Sequence, residues 1–157
     1  MNLMITGSPG TGKTTLAKNL AKALGIKAIN EKDFALQNKI GSFNEENELE
    51  IPLDELENKA NSFLSKTKGI VLEGHVLCEV KIKVDKVILL RVNPEMLEVR
   101  LERRNYTPEK IMDNVFVEGI DYCRKHLLRD YPKSKIIEIE SRRTSKETLE
   151  AVLEALK

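Results

Sequence analysis

Residues 7–14 read Gly7-Ser8-Pro9-Gly10-Thr11-Gly12-Lys13-Thr14, and no regular element can hold them. Three glycines and a proline in eight positions deny this stretch both the amide ladder of a helix and the packing of a strand, so it has to turn. The flanks decide the kind of turn. Leu3 to Thr6 is a short apolar run, and Leu16, Leu20 and Leu24 recur at four-residue spacing beyond it, which gives strand, glycine turn and helix. In that setting the pattern GxxxxGK[ST] carries a mechanism. Glycines let successive N–H groups turn inward around an anion, and the following helix points its positive end at the same place. Lys13 is then expected to reach β and γ phosphates, and Thr14 to offer its hydroxyl to Mg²⁺. A tight glycine turn with an incidental lysine is the plainer reading, and it needs loop, flanks and cap to coincide by chance.

Gly25 stops the first helix and Ile26 to Ile29 reads as a second strand, so the opening unit is βαβ-like. Residues 31–52 lack a clean period and carry Gly41, Asn44, Pro52 and an acidic stretch from Glu45 to Glu50, as either a solvated loop or a small substrate-facing lobe. Pro52 or Asp54 introduces a helix with Leu56, Ala60, Phe63 and Leu64 on one face. Ile70 to Leu72 and Val87 to Leu90 are unbroken apolar runs, typical of parallel strands covered on both faces. Asn93-Pro94 and Thr107-Pro108 each open a helix, the second predicted to continue to about Leu128. Ile136 to Ile139 supplies a fifth strand, and Thr144 to Glu147 is a capping box before a helix carrying Leu149, Val152, Leu153 and Leu156. Strands separated by helices in one chain of 157 residues predict a single α/β domain, a three-layer sandwich around a five-stranded parallel sheet.

Bulk electrostatics name no partner. Twenty-six Lys and Arg against 25 Asp and Glu leave a net charge of +1, too little for a strong field toward nucleic acid or anionic lipid. No segment approaches the roughly 20 apolar residues that span a bilayer, and the N-terminus lacks the basic and long apolar regions of a secretory signal. Cys78 and Cys123 lie far apart without CxxC spacing, and His75 and His126 add little to them. A cytoplasmic, reduced protein without disulfide or structural metal is the expectation.

Further chemistry is expected at two places. Glu73 follows the Ile70 to Leu72 strand and becomes a Mg²⁺ carboxylate if that strand neighbours the first; otherwise it solvates a strand end. Gly74 permits close backbone approach, and His75 can hydrogen-bond a phosphate, a ribose or an attacking water. Arg100, Arg103 and Arg104 share one side of a helix that breaks at Asn105, where cations on a closing segment could meet charge on a transferring group. Arg124 and Arg129 are possible supplements, and pairing with Glu98 and Glu102 is the plainer alternative. A guanine signature is absent. The lobe at 31–52 and the arginine hinge would bracket a second ligand opposite ATP, with base contacts near Glu140 to Arg142.

On GSPGTGKTTLA at 7–17, EGH at 73–75, RLERRNY at 100–106 and KIMDNVFVEG at 110–119, the chain resembles the adenylate kinase superfamily. Within it, the similarity is to the small atypical adenylate kinases of archaea and eukaryotic nuclei that assist small ribosomal subunit maturation. The resemblance implies a P-loop NTPase sandwich, a monophosphate-binding region over about 30–52 and a short lid around 100–110. It implies transfer of the γ phosphate of ATP to AMP or a related monophosphate, with intrinsic ATP hydrolysis. Gly10, Thr11, Gly12, Lys13, Thr14 and Thr15 would bind triphosphate, Arg104 would act from the lid, Glu73 and Thr14 would hold Mg²⁺, and His75 would join Lys13, Arg104 and Glu73 in catalysis. Glu73 stands where Asp is more usual, and Asn105 where a lid glycine is common. A ribosomal protein of the small subunit, a pre-ribosomal particle and rRNA processing are also implied. Two rival expectations stay open: a nucleotide-gated assembly factor, its acidic 45–50 segment pairing with a basic ribosomal protein, and a plain module holding ATP structurally.

Overall fold

The computed structural model describes residues 1–141 and 144–157. Its main sheet has five parallel strands, with β1 (Asn2–Thr6) at the centre, β5 (Ile70–Glu73) and then β2 (Lys27–Asn30) on one side, and β6 (Lys86–Arg91) and then β7 (Ile136–Glu140) on the other. The sequence-predicted fold class is the observed one. The chain fills one side of β1 and then crosses to the other, so β1 ends at the topological switch point, where open α/β sheets bind ligands.

Every residue of β1 is buried, as its continuous apolar run requires of a central parallel strand. Alternation sends Leu3 and Ile5 to one face, against Leu16 and Leu20 of α1 (Lys13–Leu24) and Val152 of α7 (Ser145–Ala155). Met4 faces the other way, with Leu72, Val87 and Leu89, against Leu56, Ala60 and Leu64 of α3 (Leu53–Lys66). A third, separate cluster of Val92, Leu97, Leu101 and Ile111 joins α4 (Pro94–Arg103) to α5 (Pro108–Gly119).

One open alternative is decided and one stretch differs from the sequence expectation. Of the two readings for residues 31–52 the structure has the small lobe: α2 (Glu31–Gln37), capped by the Asn30 side chain, is followed by a hairpin of β3 (Ser42–Phe43) and β4 (Leu49–Glu50). These elements are too short to show a period. The helix expected to run to Leu128 is instead two, α5 and α6 (Tyr122–Asp130), broken at Asp121 with φ 59°. Gly119 weakens the helix there, and the Arg91 guanidinium takes the Asp121 carboxylate, fixing the break.

Candidate functional site

The glycine turn leaves β1 at its carboxyl end and enters α1 through Gly12, whose φ of 95° suits glycine alone. Among the described residues no side chain caps α1, so its first amides are left for an anion. Gly7 passes so close to β6 that an added Cβ would stand 2.3 Å from the Leu90 carbonyl oxygen. Lys13, only 8% exposed, lies folded along the loop with Nζ donating to Ser8 O at 2.9 Å, beside the Thr11 hydroxyl that donates to the same oxygen. Burial lowers its pKa below the ordinary lysine value, while Glu31 and Glu73 pull it back up. A phosphate at the loop would supply the counter-charge that this ammonium lacks.

Glu73 is buried at the end of β5, in register with Ile5 of β1 and Asn30 of β2. Its Oε1 accepts from Thr14 Oγ1 at 3.0 Å and from Asn30 Nδ2 at 2.6 Å. The donor set fits Mg²⁺, because two oxygens on adjacent corners of an octahedron of 2.0–2.1 Å bonds stand about 2.9 Å apart. Asn30 does two jobs at this strand end. Its Oδ1 caps α2 and its Nδ2 steadies Glu73.

Glu31 is a residue the sequence reading missed. It is 3% exposed, accepts from the Val76 and Leu77 amides, and sits beneath Gly74, where an added Cβ would collide with its carboxyl. The available signal was its position directly after a strand that ends beside the loop. His75 Nδ1 lies 3.5 Å from Glu31 Oε2. Partial enclosure by the cleft walls and then the Lys13 charge lower the His75 pKa below the ordinary histidine value, although 55% of the side chain stays exposed, and both causes favour the neutral ring.

Burial pushes the Glu31 carboxyl up to about 7 from 4.5, although the two amides and Lys13 oppose the rise. The unfolded chain gives up this proton near pH 4.5 and the folded chain near pH 7, so stability falls as pH rises between them. Glu31→Gln removes the titration. Melts below pH 4.5, midway, and above pH 7 should show the wild type losing stability relative to this variant across the window. A constant gap between the two proteins would refute the assignment.

The arginines divide. Arg104 is exposed, with no side-chain hydrogen bond or ion pair among the described residues, and lines two adjoining clefts. Arg103 lines the first of them. Arg100 is no mobile cation: its guanidinium donates to Gly10 O at 3.2 Å, Thr11 O at 3.4 Å and Ser141 Oγ at 3.2 Å, bracing the loop from behind. Arg124 pairs with Glu138, and Arg129 with the His126 ring, so neither supplements the site. None of the three clustered arginines pairs with Glu98 or Glu102 among the described residues. Asn105 adopts φ 59°, the conformation for which glycine is the usual residue and asparagine the best-tolerated substitute.

Three clefts meet around the loop. The first, of about 350 Å³, runs from Gly10, Gly12 and Thr15 past Arg100 and Arg104 to Ser141, Ser145 and Thr148. Ser141 falls within the expected base-contact segment, and Arg142 lies outside the described residues. The second, of about 250 Å³, holds Lys13, Thr14, Thr15, Glu31, Glu73, His75 and Arg104. The third, of about 650 Å³, shares Pro9, Glu31, Lys32, His75 and Tyr106 with the second, and opens between the hairpin and α5. Lys110 of α5 closes one rim by pairing with Glu46 and Glu48, so part of the acidic 45–50 segment is already neutralised within the chain.

Comparison with known proteins follows the same lines. A family model described as an AAA domain matches residues 3–121. A protein of Thermococcus kodakarensis named "Putative adenylate kinase" is 38% identical over 158 residues, covering 100% of this chain and 86% of its own length. One of the same name from Methanocaldococcus jannaschii is 34% identical over 160 residues, with 100% and 86% covered. Among solved structures, a shikimate kinase of Aquifex aeolicus superposes with TM-score 0.66 at 20% identity, covering 99% of this chain and 96% of that one. A gluconokinase of Sinorhizobium meliloti gives 0.62 at 12% identity, with 99% and 90% covered. These two bear on fold alone, whereas the archaeal relatives match in sequence along the whole of this chain: the chain belongs to the adenylate kinase-like family of P-loop proteins.

Proposed function

We propose that this chain is a Mg²⁺-dependent nucleoside monophosphate kinase that passes the γ-phosphoryl group of ATP to AMP or a related monophosphate. The observation that carries the reading is the line of three connected clefts, with the glycine loop at the middle one. A donor nucleoside fits the first, its phosphates the second, and an acceptor the third. The name of the archaeal relatives supports a monophosphate as acceptor.

No covalent intermediate is needed. The loop amides of Gly10, Thr11 and Gly12 and the first turn of α1, with Thr15, hold the triphosphate, and Lys13, keeping one donor on Ser8 O, turns its other two toward the β and γ oxygens. Thr14 and Glu73 would hold Mg²⁺, which, when bound, neutralises charge on the β and γ phosphates. Arg104, free to move, meets the charge that spreads over the transferring group, and neutral His75 can hydrogen-bond the incoming phosphate at the junction of the second and third clefts. The region around 30–52 forms the acceptor side and that around 100–110 the lid. With the third cleft empty, water can take the acceptor's place, which gives weak ATP hydrolysis.

Product analysis with ATP, a panel of monophosphates and a water-only control tests this. ADP and a new diphosphate with at least one acceptor are expected, and inorganic phosphate alone, whatever the acceptor, would reject the kinase reading. Arg104→Ala should lower turnover about 10- to 100-fold by removing charge from the transition state, with little change in melting temperature. A large loss of stability with modest loss of turnover would make Arg104 structural.

A second reading, nucleotide-gated assembly of the small ribosomal subunit, is favoured by one feature: Met112 and Phe116 stand 73% and 65% exposed on α5, one turn apart. Such an apolar pair facing solvent suits a protein contact. Nucleotide-dependent retention on purified small-subunit proteins would support it, and unchanged ATPase with every one of them would count against it.

A further inference from the structure

Glu118 is a carboxylate where a helix least favours one. It sits in the last turn of α5, at the negative end of the helix dipole, and is 5% exposed, so dipole and desolvation both work against its charge. It is held by two specific partners. Arg91 Nε donates to Oε1 at 2.5 Å, and the Ser8 hydroxyl donates to Oε2 at 2.8 Å. Arg91 is the last residue of β6, so the carboxylate is anchored to the sheet as well as to the glycine loop.

The Ser8 bond has a direction. An ionised carboxylate only accepts, so Ser8 must give its one hydroxyl proton to Glu118 and has none left for a phosphate. Within the loop, Ser8 therefore serves as an anchor point. Its backbone carbonyl is the acceptor that receives Lys13 Nζ and the Thr11 hydroxyl, both at 2.9 Å. One residue thus connects Glu118 to the ammonium that must reach the phosphates. The first turn of α5 carries Lys110, tied to the hairpin, and its middle carries Asp113 and Asn114, which line the third cleft with Lys110. From residue 110 to 118 the helix rises about 12 Å, enough to span from that cleft to the loop.

We propose that Glu118 is a positioning residue: it couples the glycine loop to α5, so that Lys13 is held in register with an acceptor only while α5 is seated. The proposal rests on the kinase reading, and its test separates the two. Ser8→Ala removes only the hydroxyl. Glu118→Met removes charge and hydrogen bond at similar volume, and Arg91 keeps Asp121 and Glu138 as partners. In the full chain with ATP and the accepted monophosphate, each single variant should lower kcat about tenfold while KM for ATP changes about threefold or less, because geometry in the transition state is lost more than ground-state binding. The double variant should be no worse than either single, since both cut one link. Glu118→Gln, which keeps the shape and can reform a weaker bond to Ser8, should recover part of kcat.

Losses that multiply in the double variant, or a Ser8→Ala protein with wild-type kcat, overturn the proposal and leave the kinase reading standing. If Glu118→Met does not fold, Ser8→Ala decides on the same criterion. If the wild type passes phosphate to no monophosphate, the kinase reading fails and the proposal falls with it, an outcome told apart from the others because the unsubstituted protein already shows it.

Discussion

Lys13→Ala is expected to lower turnover by about a hundredfold to a thousandfold, the scale of removing one fixed charge from the phosphoryl transition state proposed above. Lys13 is the buried cation of the glycine loop, and among the described residues its ammonium is held by one carbonyl, Ser8 O, and by no carboxylate contact. That is a poor arrangement for stability. Burial already lowers its pKa, so the folded chain gains little from keeping it charged. The substitution should therefore leave the melting temperature within a few degrees of wild type while removing activity, a separation expected where a site is kept for function at a cost in stability. Coupled measurement of ADP production beside a thermal melt checks both halves. Unchanged turnover would place the chemistry elsewhere, and a collapse of the melt would make Lys13 a structural residue.

Gly7→Ala carries the largest expected stability effect in the loop. The new methyl would stand 2.3 Å from Leu90 O, a backbone atom in the interior of the sheet that cannot rotate away, and φ of +150° is itself strained for an L side chain. Loop and β6 must part. A cost of about 3 kcal/mol, or roughly 10 °C in melting temperature for a domain of this size, follows, with activity reduced because Ser8 and Lys13 move with the loop. Gly12→Ala is the internal comparison. Its added Cβ meets nothing within 4 Å, so it carries only the strain of a positive φ. Equal destabilisation by the two changes would show that crowding against Leu90 is not what holds the first glycine in place.

Parts of the site were legible because each depends on one short segment. The loop announces itself by glycine spacing between an apolar run and a helical period. Glu73 could be named because it ends an apolar run, and its value then depended on one adjacency, β5 beside β1, which the sheet supplies. Other parts depend on two segments remote in sequence. Arg100 looked like a mobile cation from its helix position, yet its acceptors are two carbonyls about ninety residues earlier and the Ser141 hydroxyl about forty residues later. Glu118 appeared only as one letter of a motif, and its partners Ser8 and Arg91 come from a loop and a strand end. Glu31 opens a helix of one element length, Glu31–Gln37, too short to show a period.

Hydrophobic period and glycine placement are local quantities, and they determined the strand–turn–helix cradle, the parallel sheet and the phosphate-binding character of residues 7–14. Burial, by contrast, is a property of the assembled chain. Only tertiary packing decided that Glu31 keeps its proton up to about pH 7, that the His75 ring is harder to protonate than a free one, that Arg100 is fixed while Arg104 has no side-chain partner among the described residues, and that α5 breaks at Asp121 to meet Arg91. The reason is physical: a charge takes its behaviour from the water removed around it and the partners brought to it, and both arrive from elsewhere in the chain.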